Sequence, residues 1–133
     1  MKSRILAMVV VLLVGAACSD EPTGTAPDAP QPGTLVLNLT TPHADDGAVM
    51  FEVTGPDIDG ASAANASLRL FTRQADGGLV GVVLGVVGGG PVAALQVPDV
   101  GAAANYRVRV LEVADRADAL RASLTGYAIT VTP

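Results

Sequence analysis

Residues 34–56 read TLVLNLTTPHADDGAVMFEVTGP, and the fold class turns on this stretch. Leu35, Leu37 and Leu39 alternate with Val36, Asn38 and Thr40, the period of two that marks a strand with one buried face. Thr41-Pro42 stops the run and Asp45-Asp46-Gly47 makes a turn. Val49, Phe51 and Val53 then alternate with Met50, Glu52 and Thr54 until Gly55-Pro56 ends a second strand.

Moving outward, the same grammar repeats. After a loop rich in Ala, Ser and Asn, Leu68, Leu70 and Thr72 alternate with Arg69, Phe71 and Arg73. Gln74-Ala75-Asp76-Gly77-Gly78 is a hairpin turn signal. Leu79 to Val87 is a continuous apolar run, closed by Gly88-Gly89-Gly90-Pro91, and a short strand covers Val92 to Val97. Tyr106, Val108 and Val110 alternate with Arg107, Arg109 and Leu111, and Tyr127, Ile129 and Val131 with Ala128, Thr130 and Thr132. About seven strands with turn chemistry between most of them predict an antiparallel β-sandwich. One short helix is expected in Asp115 to Leu124, where Ala117, Leu120 and Leu124 fall at helical spacing and Asp115 could cap.

The run Leu79 to Val87 poses a question of its own, because both of its faces are apolar or glycine. A strand in a two-layer sandwich turns one face to the core. Val80, Val82, Leu84 and Val86 are the larger set and are expected there. Leu79, Gly81, Val83, Gly85 and Val87 are then expected as an exposed flat apolar strip, a candidate interface, unless residues 115–124 cover it.

Composition sets further bounds. Half of the 133 residues are hydrophobic but only 3% are aromatic and Trp is absent, so the core must be aliphatic and of modest stability. All 13 acidic residues follow Cys18, against six arginines. Such an acidic surface repels phosphate backbones, so no nucleic-acid partner is expected. A single cysteine allows no internal disulfide.

The N-terminus carries export grammar. Lys2 and Arg4 form a positive region, Ile5 to Val14 an apolar run too short to span a bilayer, and Gly15, Ala16 and Ala17 are small residues before Cys18. Val14-Gly15-Ala16-Ala17-Cys18 resembles the lipobox of bacterial lipoproteins, although Gly15 stands where that family usually has Leu. The resemblance implies cleavage after residue 17 and acylation of Cys18, which anchors the chain to membrane. Gly15-x-Ala17 also suits the general signal peptidase, in which case Cys18 is a free thiol. Asp20 follows the cysteine at one remove, which by the same resemblance favours the outer membrane or cell surface. Residues 18–33 hold four prolines and three acids with no apolar side chain beyond Ala other than Cys18. They are expected to be a disordered tether, about 45 Å long when extended. Residues 34–133 form the β domain.

Leu95 to Val110, with Pro98, Gly101 and then Tyr106-x-Val108-x-Val110, is similar to the corner between strands E and F of fibronectin type III and related immunoglobulin-like domains. The resemblance implies that the Tyr106 hydroxyl bonds back to the corner backbone, in Val100 to Ala103. The departures are the missing core Trp and the long apolar, glycine-containing strand. The pattern from Gly33 to Pro133 is also similar to that of other bacterial lipoproteins, which implies no particular activity.

No motif carries chemistry. Asp57-Ile58-Asp59-Gly60 begins like a calcium loop, but Ala61 and Leu68 stand where further ligands belong. His43 is the only histidine, Ser62, Ser67 and Ser123 lack a nucleophile context, and no Lys-Ser/Thr follows Gly88-Gly89-Gly90. No metal, cofactor or enzymatic activity is expected. The sequence reads as a membrane-anchored envelope lipoprotein with a non-enzymatic binding domain. The alternative is an accessory subunit of an envelope assembly, packed against a protein partner.

Overall fold

A computed structural model describes residues 26–133; the export signal and Cys18 lie outside them. Eight strands form two four-stranded antiparallel sheets. They are β1 (Gly33–Thr40), β2 (Asp46–Thr54), β3 (Gly60–Ala63), β4 (Arg69–Ala75), β5 (Gly78–Val87), β6 (Gly90–Val97), β7 (Arg107–Asp115) and β8 (Ala128–Thr132). The first sheet runs β3-β6-β1-β8 and the second β4-β5-β2-β7. Of successive strands only β4 and β5 pair, through the two-residue turn Asp76-Gly77, where Gly77 takes a φ of 77°. Every other ladder joins strands distant in sequence.

The sandwich is thus as expected, with an added strand. Gly60–Ala63, in the stretch read as loop, pairs with β6 as an edge strand. Its Gly, Ala and Ser side chains present too little contrast for alternation to register. β1 pairs with β6 in the first sheet and β2 with β7 in the second. β8 lies beside β1 rather than beside β7.

Leu35, Leu37 and Leu39 of β1 meet Val49, Phe51 and Val53 of β2 across the core, all buried. The two runs that decided the fold class supply its two central inner faces. β6 adds Leu95 and Val97, and β8 adds Ile129.

The apolar strip on β5 is reversed from expectation. Leu79, Gly81, Val83 and Val87 face the core, and Val80, Val82, Leu84 and Val86 face outward. The reason lies on the neighbouring strand. Gly81 stands directly opposite Phe51, and a Cβ on Gly81 would lie 2.6 Å from the Phe51 ring. The core's one phenyl ring occupies the space above β5, so the strand must present its glycine there and its larger side chains to the outside. Gly85 takes a φ of 140° where β5 bulges against β2.

The expected helix at Asp115 to Leu124 does not form. Asp115 instead accepts hydrogen bonds on its carboxylate from the backbone N–H groups of Ala117 and Ala119. The chain folds back so that Arg121 N–H donates to Val113 O at 2.8 Å and Leu120 lies opposite Ala114. Unpaired backbone at the end of β7 is satisfied this way, and Leu120 points outward rather than onto a core. The one helical segment among the described residues is a 3-10 helix at Val100–Asn105, capped by Asp99, whose carboxylate accepts from Gly101 N–H at 2.9 Å. The same carboxylate accepts from Gln31 N–H, and Val100 N–H donates to Gln31 O. The tether therefore meets the domain at Gln31, two residues before β1.

The reversal sets opposite outcomes for neighbouring substitutions. Leu79→Ala is expected to cost about 3 kcal/mol in chemical denaturation, and Val86→Ala less than about 0.5 kcal/mol. Equal costs would return β5 to its expected orientation.

Candidate functional site

Three places in the domain gather chemistry or exposed apolar surface. The first is the outer face of the second sheet. In antiparallel ladders directly opposed residues point to the same side, so its rows follow from the register. One row runs Phe71, Val82, Met50 and Glu112; the next Arg69, Leu84, Ala48, Ala114 and Leu120; a third Arg73, Val80, Glu52 and Arg109. Phe71 is 58% exposed, Leu84 38%, and Val86 and Leu120 66% each. All of the large exposed hydrophobics among the described residues therefore lie on one side of one sheet. A shallow depression of about 260 Å³ is lined by Met50, Phe71, Thr72, Arg73, Val80 and Val82.

Arginines frame this face. Arg69 and Arg73 flank Phe71 on the edge strand β4, exposed and in no ion pair among the described residues. Arg109 pairs with Glu52 at 2.9 Å, and Arg107 donates to Ala104 O. The candidate interface Leu79, Gly81, Val83, Gly85 and Val87 is core-side, and the site lies on the opposite side of the same strand. The signal was in the sequence: Phe71 falls between Arg69 and Arg73 on the polar phase of its strand.

The second place is the Tyr106 hydroxyl. Tyr106 is buried, and its hydroxyl donates to Asp57 O at 2.8 Å. This corrects the corner assignment, which expected Val100 to Ala103. Those residues are wound into the 3-10 helix, and the loop after β2 reaches the hydroxyl instead. Tyr106 thus ties the β2–β3 loop to the start of β7. Burial, with the charges of Asp57, Asp59 and Asp99, raises its pKa.

The third place was not foreseen. Asp46, read as part of a turn, is fully buried. Its carboxylate accepts from Thr41 Oγ1 at 2.6 Å, from Arg121 Nε at 3.0 Å and Nη2 at 2.8 Å, and from the Tyr127 hydroxyl at 2.9 and 3.0 Å. Arg121 also pairs with Asp45. Burial alone would raise the Asp46 pKa, but hydrogen bonds from Thr41, Arg121 and Tyr127 and the Arg121 charge outweigh it and hold it below 3.8. Asp45 is lowered too, chiefly by its bond to Arg121. Both carboxylate oxygens are fully engaged by Thr41, Arg121 and Tyr127, so the cluster is a structural lock. His43 is exposed, with its ring 6.0 Å from that of Tyr127.

Asp57 and Asp59 border a depression of about 440 Å³ at the end of the sandwich. Among the described residues no three His, Cys, Asp or Glu side chains converge as metal ligands. Comparison of the chain with family models, curated proteins and solved structures finds no match.

Each lock sets a measurable outcome. Tyr106→Phe is expected to cost about 1 kcal/mol, measured by denaturant titration. For Asp46, a lowered folded-state pKa means that its stabilisation is full above the unfolded value. It is lost as the pH falls through the folded one. The melting temperature is therefore expected to drop as the pH falls below about 4. Asp46→Asn should lower stability at neutral pH by about 3 kcal/mol and flatten that acid dependence; an unchanged acid profile would remove Asp46 from the account.

Proposed function

We propose that this protein is held at the cell envelope by acyl chains on Cys18 and that its β-sandwich is a non-enzymatic binding module. The observation that supports the second half is the gathering of Phe71, Leu84, Val86 and Leu120 on one side of one sheet. A monomer whose apolar residues merely spill over scatters them singly, whereas contiguous exposed apolar surface with a polar rim marks an interaction site. The first half is supported by the export grammar that ends at Cys18. Several acyl chains would anchor firmly, since each buried CH₂ contributes about 0.8 kcal/mol.

The accessory-subunit reading shares this surface and differs in what covers it. Recovery of one envelope protein in stoichiometric amount from detergent-solubilised membranes would favour that reading.

The anchor has its own test. Wild-type chain is expected in the membrane fraction with an N-terminal peptide whose mass includes acyl chains, and Cys18→Ser is expected to escape that processing. A wild-type chain that is soluble and begins with an unmodified thiol would refute the anchor.

A further inference from the structure

We infer that the outer face of the β4-β5-β2-β7 sheet is a docking face for an anionic phospholipid surface, on which the domain lies flat. The inference takes the envelope-bound binding module as its setting and names what that module binds.

Charge is the first argument. The whole chain carries a formal charge of −5, and six arginines follow Cys18. Four of those six, Arg69, Arg73, Arg107 and Arg109, sit on strands β4 and β7 at outward positions of this one sheet, against Glu52 and Glu112. An acidic protein thus keeps one cationic face. Arg69 and Arg73 bracket Phe71, with Val82 and Met50 following in its row and Leu84 and Val80 in the rows on either side. A flat apolar centre rimmed by guanidinium groups matches the boundary of a bilayer, where phosphates lie outside the acyl carbons. Arginine stems lie along the apolar surface while their heads reach the phosphates.

Other occupants fit less well. A second copy would bring the same net positive charge against itself. Protein hot spots are enriched in Trp, Tyr and Arg; this face has the arginines, but Trp is absent and both tyrosines are engaged elsewhere, with Asp57 and with Asp46. Arginines on an edge strand also guard against strand addition. That purpose does not require Phe71 between them at 58% exposure.

Reach is the second argument. The chain meets the domain at Gln31, and the 13 residues from Cys18 to there can extend about 40 Å. Packed sheets are about 10 Å apart, so an anchored N-terminus can pass the domain's edge and leave the outer face of the far sheet against the bilayer.

The test separates this face from the anchor by using unacylated protein. Mature chain carrying Cys18→Ser (residues 18–133) is mixed with vesicles of phosphatidylcholine and phosphatidylglycerol at 3:1, and with pure phosphatidylcholine, then sedimented. Binding is expected to the anionic vesicles, weakened by salt. Each arginine removed in Arg69→Gln and Arg73→Gln should weaken binding about fivefold, and Phe71→Ser should weaken it further, with melting temperatures unchanged because all three residues are exposed. Asn38→Asp on the other sheet should leave binding as it was. No binding to the anionic vesicles, or binding indifferent to Arg69, Arg73 and Phe71, overturns the inference while leaving Cys18 acylation to its own measurement. Self-association in sedimentation equilibrium that Phe71→Ser dissolves gives the face to a second copy and also overturns it.

Discussion

One buried carboxylate closes this sandwich. Asp46 opens β2, Thr41 follows β1, Tyr127 precedes β8, and Arg121 lies in the loop after β7. Their hydrogen bonds draw four segments from both sheets to a single point. A charge taken out of water costs several kcal/mol unless it is paired and fully hydrogen-bonded, so the segments cannot part independently. This matters because only β4 and β5 form a local hairpin. The remaining ladders are long-range, and β8 must return to β1 across almost the whole domain. Backbone pairing between distant strands carries a large loop-closure cost. The Asp46 cluster lies where the returning segment must be held, and Tyr106 does similar work at the other end by bonding to Asp57.

A core with few aromatics is shaped by its one phenylalanine. Phe51 is its one phenyl ring, and Gly81 yields the volume that the ring takes. Close packing leaves no room for a larger residue at that point. The consequence travels to the surface, since a strand that turns Gly81 inward must turn Val80 and Val82 outward. The exposed apolar face is therefore a product of core packing as well as a candidate for binding. Phe71 distinguishes the two causes, because it lies on β4, where no glycine on the core side compels it outward.

Tether and face form one arrangement in the proposed function. Gln31 is fixed to the 3-10 helix through Asp99 and Val100, so the domain has a defined point of attachment. An anchor alone would hold the domain near a membrane in any orientation. A cationic and apolar face adds a preferred one. Weak surface binding suffices for this, because tethering supplies a high effective concentration.

The sequence by itself determined the layer architecture. Period-two alternation at Leu35–Leu39 and Val49–Val53 is a local property of the chain, and so are the Asp76-Gly77 turn and the grammar ending at Cys18. Three features depended on tertiary contact. Which face of Leu79 to Val87 is buried hung on a ring from another strand, and alternation cannot distinguish two apolar faces. The segment Asp115 to Leu124 has helical spacing but was claimed by the unpaired end of β7, a demand invisible within ten residues. Asp46 and Arg121 are 75 residues apart, and nothing local marks an aspartate in a turn-like run as the one that will be buried. Tyr106 was legible as a buried, bonded tyrosine, but its partner was not, since a hydroxyl takes whichever carbonyl the folded loops bring within reach.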